Sequence, residues 1–149
     1  MFSFLQKKIA LQAPSTVSSC NWSKDDDWLA IGGTNGLLKV IKFSDPRNKD
    51  DAANQGGLLE NIALESHSGA VNIISWNEKY RKLTTGDTNG LIIVYMRHHG
   101  EWVEEMVNNR KQSVVVDMKW SPDGTKIGII YEDGHVIIGG VEGNRKWGK

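Results

Sequence analysis

Residues 75–96, SWNEKYRKLTTGDTNGLIIVYM, place a tryptophan 14 residues before the glycine of an Asn-Gly pair. Residues 21–43, NWSKDDDWLAIGGTNGLLKVIKF, and residues 119–140, KWSPDGTKIGIIYEDGHVIIGG, have the same layout. Three copies of one spacing indicate an internal repeat, which has to be recognised before any single motif is interpreted. The repeated positions are Trp22, Trp76 and Trp120 and, 14 residues after each, Gly36, Gly90 and Gly134.

Each repeat contains three short apolar or alternating segments separated by turn residues, which is the pattern of short β-strands. The first strand ends at the tryptophan. An Asn-Gly or Asp-Gly pair precedes the third strand, and both residues of such a pair tolerate the positive φ of a type I′ hairpin turn. A more weakly patterned fourth strand follows at Leu58–Leu64, Trp102–Val107 and Arg145–Trp147.

A four-stranded antiparallel unit of about 44 residues is typical of one blade of a β-propeller, which buries its faces only against neighbouring blades. Because a ring needs at least four blades, three blades leave two faces open, and we expect an N-terminal fragment of a longer polypeptide. We therefore predict an all-β, partial propeller with a closing strand at residues 1–12, blade 1 at 13–64, blade 2 at 65–109 and blade 3 at 110–149.

The composition limits the classes of partner. The 149 residues carry 18 lysines and arginines and 18 aspartates and glutamates, so the formal net charge is zero. This balance argues against nucleic acid or an acidic membrane as the main partner, because both select for clustered positive charge. No apolar run is long enough for a transmembrane segment. Since Cys20 is the sole cysteine, no intrachain disulfide can form, and a reducing compartment is expected.

Residues 143–149, GNRKWGK, match the G-x-x-x-x-G-K spacing of a phosphate-binding loop. That loop also needs a following Ser or Thr and a helix whose N-terminus faces the phosphate, and neither appears. An outer strand with a turn explains the segment better. The alternative function is a module in which Arg145, Lys146 and Lys149 contact the phosphates of lipids or nucleotides.

Three further motifs have ordinary structural interpretations. Residues 98–105, HHGEWVEE, lack the spacing of a zinc site and are better explained as a solvated hairpin. Residues 25–27, DDD, lack the alternating ligands of a calcium loop and are predicted to be a charged turn. Cys20 lies between apolar positions and is expected to be a small buried residue rather than a nucleophile. We therefore predict no enzyme, no catalytic residue, no metal site and no cofactor.

The tryptophans divide into two groups. Those at the repeat position, Trp22, Trp76 and Trp120, are expected to pack between blades. Trp102 and Trp147 fall in outer strands, where a large aromatic ring meets solvent unless something covers it; they are candidate interface anchors, with partial burial in the blade as the favoured alternative. The predicted contact surfaces are the loop Ser44–Gly57, the rim near Asn89 and Asp133, and the outer strand around Trp102.

This layout resembles WD repeats. Residues 66–69, SHSG, stand where that family has its Gly-His pair, whereas its name-giving Trp-Asp pair is replaced by Ile41-Lys42, Tyr95-Met96 and Gly139-Gly140. The resemblance implies at best a partial form of the family's His–Ser/Thr–Asp–Trp network, in which His67 has a structural role rather than that of a general base. Its candidate members in blade 2 are His67, Thr85, Asn89 and Tyr95.

A closer resemblance covers nearly the whole chain. Residues 4–11, FLQKKIAL, 66–96, 104–115 and 131–149 are similar to the N-terminal propeller of the 121-kilodalton WD-repeat subunits of intraflagellar transport complex A. Tubby-like proteins with N-terminal WD repeats are near relatives. The resemblance implies a non-enzymatic scaffold for retrograde ciliary transport, cilium assembly and ciliary entry of membrane cargo. Its implied partners are the other complex A subunits and membrane-protein cargo or a tubby-like adaptor, in the cytoplasm, the cilium and the basal body.

Overall fold

The structure, a computed structural model, describes residues 9, 11, 14–44, 57–111, 113–143 and 145–148, and gives the backbone alone for 145–147. Except for residues 9 and 11, the predicted closing strand at residues 1–12 lies outside the described residues, as does the interior of the predicted loop Ser44–Gly57. So do the side chains of Arg145, Lys146, Trp147 and Lys149.

Three four-stranded sheets contain the strands of the described residues. Blade 1 consists of β1 (Val17–Trp22), β2 (Trp28–Gly33), β3 (Leu38–Phe43) and β4 (Leu58–Ala63). Blade 2 consists of β5 (Val71–Asn77), β6 (Lys82–Asp87), β7 (Leu91–His98) and β8 (Glu101–Asn109). Blade 3 consists of β9 (Val115–Trp120), β10 (Lys126–Tyr131), β11 (Val136–Gly140) and β12 (Arg145–Gly148).

Consecutive strands pair antiparallel in every sheet, so each blade is a simple meander. The predicted all-β partial propeller is confirmed. Residues 143–149, predicted to be an outer strand with a turn, place a turn at Gly143 before β12, and no helix begins there among the described residues. The described residues also contain no helix that is long and apolar enough to cross a membrane.

The hydrophobic core lies between the blades. All six residues of β6, the second strand of the middle blade, are buried. The first cluster joins blades 1 and 2 and contains Trp28, Ala30, Leu38, Val40, Leu64, Val71, Ile74, Leu83, Ile93 and Tyr95. The second joins blades 2 and 3 and contains Ile92, Val115, Met118, Ile127, Ile129 and Tyr131. Each blade therefore removes apolar surface from water by stacking on the next, as the repeat predicts.

A one-residue bulge occurs at the same repeat position in the first strand of each blade. The register shift falls at Ser18 in β1, at Asn72 in β5 and at Val116 in β9. The Ser18 hydroxyl donates to the carbonyl of Val71 at 3.0 Å, and the Asn72 amide donates to the carbonyl of Val115 at 2.9 Å. A bulge changes the direction of one side chain. At this position that side chain links blade 1 to β5 and blade 2 to β9 by a hydrogen bond.

The predicted type I′ turn occurs in one blade of three. Both residues of Asn35-Gly36 have positive φ, 58° and 72°, as that turn requires. In Asn89-Gly90 and Asp133-Gly134 only the glycine does, so the prediction is wrong there. The Gly90 amide donates to the carbonyl of Asp87 at 3.1 Å, and the Gly134 amide donates to that of Tyr131 at 3.0 Å. These are type I turns followed by a left-handed glycine.

On the outward face of blade 1, the prediction for Cys20 is wrong and that for Trp22 stays a prediction. Trp76 and Trp120 reach back to the preceding blade, donating to the Asn21 carbonyl at 2.9 Å and the Thr84 hydroxyl at 3.1 Å. Trp22 has the same repeat position but is 53% exposed, because no described blade precedes it. Cys20, predicted to be buried, is exposed on the same strand.

Candidate functional site

The ends of the blades carry two different groups of side chains. One end, which we call the Asn-Gly end, holds the turns at Asn35-Gly36, Asn89-Gly90 and Asp133-Gly134. The other, the opposite end, holds the turns between the first and second strands and between the third and fourth. Three of the predicted network residues, His67, Thr85 and Asn89, lie toward the Asn-Gly end. Tyr95 pairs with Leu83 toward the opposite end, where Trp102 also lies. The predicted contact surfaces are therefore split between two faces.

A buried polar network is present at the Asn-Gly end of blade 2. His67 lies between β4 and β5, and its Nδ1 is 2.8 Å from Asp87 Oδ2. Its Nε2 is 2.7 Å from the Thr85 hydroxyl. All three residues are buried. With Nδ1 protonated toward the carboxylate, Nε2 accepts the Thr85 hydroxyl proton, and each polar atom of the imidazole has a partner.

The aspartate position of the family's network is occupied by Asp87 and not, as predicted, by Asn89. Asp87 ends β6, and its Oδ1 accepts the backbone N–H groups of Asn89 at 2.9 Å and Leu91 at 3.1 Å. The Asn89 side chain is exposed and donates to the Ser68 hydroxyl at 3.2 Å. One oxygen of the Asp87 carboxylate thus caps the turn, and the other binds His67. The aligned positions of the other blades are Gly33 and Tyr131, so they have no carboxylate there.

Tyr95 occupies the repeat position of the family's tryptophan. It is buried in the core between blades 1 and 2. Burial raises the pKa of the Tyr95 phenol to about 12, because the tyrosinate anion would lose its hydration. Thr85, His67 and Asp87 have the residue types of a nucleophilic triad, but their burial keeps a substrate from the Thr85 hydroxyl. The hydrogen bonds of His67 with Thr85 and Asp87 hold the segment between blades 1 and 2 against β6.

Three tryptophan rings meet at the opposite end, between blades 1 and 2. The centroids of Trp28 and Trp102 are 5.3 Å apart in an edge-to-face arrangement, and those of Trp76 and Trp102 are 5.9 Å apart. Trp28 starts β2 and is 4% exposed, whereas Trp76 and Trp102 are half-buried against the same core. The sequence predicts that Trp102 is either partly buried in the blade or an interface anchor. In the structure its ring contacts Trp28 of blade 1 and Trp76 of blade 2.

Cations lie over two of these rings, Trp28 and Trp102. The Arg97 guanidinium lies 4.9 Å from the Trp28 centroid and 5.6 Å from that of Trp102, and it donates to Glu60 Oε2 at 3.0 Å. Lys42 Nζ lies 5.5 Å from the Trp28 centroid. We call this arrangement the tryptophan cleft; its volume is about 220 Å³. Its walls are completed by Ser23, Asp26, Glu60, Asn77 and Arg81.

Asp133 belongs to the rim that was predicted to make contacts. Its Oδ1 accepts the backbone N–H of His135 at 3.0 Å, and its Oδ2 accepts a hydrogen bond from Arg110 at 3.1 Å. The His135 backbone N–H is the main reason why the pKa of the Asp133 carboxyl lies well below its ordinary range. The turn of blade 3 is therefore tied to the end of blade 2.

The other motifs form local structure. His98 and His99 are exposed in the hairpin between β7 and β8, and residues 25–27 lie in the turn between β1 and β2. Among the described residues, no group of three or more His, Cys, Asp or Glu side chains could hold a metal ion.

Sequence reasoning missed Asp87, Trp28 and Arg97. Asp87 carries a local signal, since an aspartate just before a turn commonly caps it. Trp28 and Arg97 belong to different blades, and no local sequence pattern predicts their contact.

Comparison with known proteins identifies the family. The β-propeller family described as WDR35/TULP4 N-terminal matches residues 1–149. WD repeat-containing protein 35 of Homo sapiens is 50% identical over 154 residues, which cover 100% of this chain and 13% of that protein. The rat protein of that name, from Rattus norvegicus, is 51% identical over the same share of both chains. Tubby-related protein 4 of Homo sapiens is 38% identical over 123 residues, 83% of this chain and 8% of that protein.

A solved structure supports the fold alone. A chain of the structure described as "Crystal Structure of Mitotic Checkpoint Complex" has a TM-score of 0.71 at 23% identity, over 93% of this chain and 38% of that chain. The name of the WD repeat-containing relatives agrees with the WD-repeat propeller of this chain. The chain spans only 13% of their length. It belongs to the WDR35/TULP4 N-terminal family of WD-repeat β-propellers.

Proposed function

We propose that this chain is part of a non-enzymatic scaffold subunit of intraflagellar transport complex A. In that role it acts in retrograde ciliary transport, cilium assembly and the entry of membrane cargo into the cilium. The observation that carries the proposal is the 50% identity to human WD repeat-containing protein 35 over the whole chain. The lower identity of Tubby-related protein 4, 38%, makes a tubby-like adaptor the alternative.

The architecture suits a scaffold. Blades 1 and 2 are joined by an apolar core, by the His67 network at one end and by the tryptophan cleft at the other. Such blades hold their surfaces in fixed relative positions, and rigid elements present interfaces with little loss of conformational entropy on binding. β8 supplies an outer strand of nine residues along one edge of blade 2.

The partners of this scaffold are the other subunits of complex A, with membrane-protein cargo or a tubby-like adaptor as further ligands. The protein works in the cytoplasm, at the ciliary base and in the cilium. Because the formal net charge is zero, subunit binding depends on shape and apolar anchors, and its affinity changes only modestly with salt.

The test uses the full-length protein, tagged and expressed in ciliated cells that lack their own copy. We expect complex A subunits to copurify with it, and the tag to concentrate at the ciliary base. Cilium length and retrograde transport should be restored. A protein that purifies without these subunits and leaves the ciliary defect unchanged contradicts the proposal. A tubby domain encoded after residue 149 would favour the adaptor instead.

The phosphate-binding alternative has a separate test. Arg145, Lys146 and Lys149 are changed to glutamate in the full-length protein, and co-sedimentation with phosphatidylserine vesicles and stabilisation by ATP are measured. The scaffold proposal expects neither property to depend on these charges. A loss of vesicle binding on charge reversal would support a lipid-engaging propeller.

A further inference from the structure

The tryptophan cleft contains a buried donor without an acceptor. The indole N–H of Trp76 donates to the Asn21 carbonyl, whereas the indole N–H of Trp102 is buried and has no hydrogen-bond partner among the described residues. A buried donor left unpaired has lost its hydration without compensation, so buried donors are nearly always satisfied. Trp102 lines the cleft, and a small shift of its ring would let an acceptor that enters from outside reach the orphaned N–H.

The charges of the cleft favour an anionic acceptor. Its walls carry three cations, Lys42, Arg81 and Arg97, and two carboxylates, Asp26 and Glu60. Glu60 accepts from Arg97, and Asp26 lies 3.8 Å from Arg81. No carboxylate of the described residues pairs with Lys42, whose ammonium lies over the Trp28 ring.

A cationic ligand does not suit the same cleft. Lys42 and Arg97 already lie over the Trp28 ring, and Arg97 also lies over the Trp102 ring, so these two rings already have cationic partners.

The size of the cleft limits the ligand to one side chain. Its volume of about 220 Å³ is below the roughly 300 to 1,000 Å³ of pockets that hold drug-sized molecules. Its mouth is open to solvent, since the Arg81 side chain is 78% exposed.

We propose that the tryptophan cleft binds the carboxylate of an aspartate or glutamate side chain, which a partner polypeptide inserts from solvent. The Trp102 indole N–H and the Lys42 ammonium donate to that carboxylate, while Glu60 keeps Arg97 in place over the rings. This inference rests on the scaffold role but not on the ciliary assignment. Complex A subunits can copurify with the protein whether or not the cleft is occupied, so the two proposals fail separately.

The test measures peptide binding to the purified full-length protein. The probe is a fluorescein-labelled peptide library, Gly-Xaa-Xaa-Glu-Xaa-Xaa-Gly, and its counterpart has glutamine in the central position. Fluorescence polarisation gives the apparent affinity of each. We expect the glutamate library to bind at least about tenfold more tightly, which corresponds to about 1.4 kcal/mol, because a glutamine oxygen carries no charge and accepts weaker hydrogen bonds than a carboxylate.

Two variants remove one donor each. Trp102→Phe keeps a ring and deletes the N–H, and Lys42→Gln deletes the charge; each should weaken binding of the glutamate library about tenfold. The matched control is Lys39→Gln, which removes the same charge from the same strand outside the cleft, where Lys39 donates to Asn61 Oδ1 at 3.4 Å. It should leave the affinity unchanged. Thermal melting shows whether each variant is folded. If Trp102→Phe is unfolded, Lys42→Gln alone tests the proposal.

Several results would overturn the proposal. One is a glutamate library that binds no more tightly than the glutamine library, or not at all. Lys42→Gln could have no larger effect than Lys39→Gln. Inorganic phosphate could displace the bound library where acetate at equal ionic strength does not, which would make the ligand a phosphoryl group instead of a carboxylate.

Discussion

The indole N–H of Trp76 crosses from blade 2 to blade 1 and donates to the main-chain carbonyl of Asn21 at 2.9 Å. In return, the Asn21 side-chain amide donates to the carbonyl of Ile74 in blade 2 at 3.1 Å. The repeat tryptophan is thus a hydrogen-bonded link between blades as well as an apolar filler. One blade later, the indole N–H of Trp120 also reaches back to the preceding blade, but it donates to the Thr84 side-chain hydroxyl.

Replacing Trp76 by alanine should therefore destabilise the propeller by about 3 to 5 kcal/mol, because a large aromatic side chain is lost from the face between two blades. Trp76→Phe keeps most of the ring contact and removes only the N–H, so it should cost about 1 kcal/mol. Chemical denaturation of the full-length propeller measures both. If Trp76→Ala and Trp76→Phe lowered the free energy of unfolding equally, packing of the ring would contribute nothing to stability.

Asp87→Ala should cost about 3 kcal/mol or more, since it leaves His67 and two backbone N–H groups of the turn without their acceptor. Asn89→Ala, two residues away in the same turn, should change the free energy of unfolding by no more than about 0.5 kcal/mol because that side chain is exposed. The reverse ranking in denaturation experiments would restore Asn89 as the network residue.

Gly90→Ala should be strongly destabilising. Gly90 has a φ of 81°, and an added Cβ would stand 2.1 Å from the Arg110 carbonyl oxygen. Gly100→Ala is the matched control, because Gly100 has a φ of 79° and its nearest neighbour would be 3.9 Å away. The control should show only the conformational cost, about 1 to 2 kcal/mol. Similar melting temperatures for the two variants would contradict the close packing beneath the Asn89-Gly90 turn.

The raised pKa of Tyr95 predicts a loss of stability at high pH. The phenol has an ordinary pKa of 10 and a folded pKa of about 12, so the unfolded chain releases its proton first. The stabilisation is complete below pH 10 and is lost as the pH rises through 12. Denaturation midpoints across this interval should fall less steeply for Tyr95→Phe than for the unchanged protein. Identical pH profiles would show that Tyr95 ionises freely.

The strands were predictable because their signals are local. The residue pattern predicted fourth strands at Leu58–Leu64 and Arg145–Trp147, and the structure has β4 at Leu58–Ala63 and β12 at Arg145–Gly148. The turns were only partly predictable, since Asn-Gly pairs occur in more than one hairpin geometry, and the Asp87 carboxylate stabilises the type I form in blade 2.

The sites were less predictable than the strands. His67 and Thr85 were identified from a family resemblance, but the choice between Asp87 and Asn89 depends on the direction of a side chain at the end of a strand. The tryptophan cleft requires Trp28 and Arg97 to meet across blades, which follows only from the stacking angle. Likewise, the exposure of Trp22 depends on what lies beside blade 1 rather than on its own repeat.

The central claim is that a blade is stable only when its faces are covered by neighbours. Residues 1–149 purified alone would leave apolar side chains on the outer faces of blades 1 and 3 in water, among them Trp22, Val116 and Ile130. Analytical ultracentrifugation combined with calorimetry tests the claim most directly. We expect self-association or a broad, non-cooperative transition from residues 1–149, and one cooperative transition from the propeller of the longer protein. A compact monomer of residues 1–149 that melts cooperatively would contradict the claim.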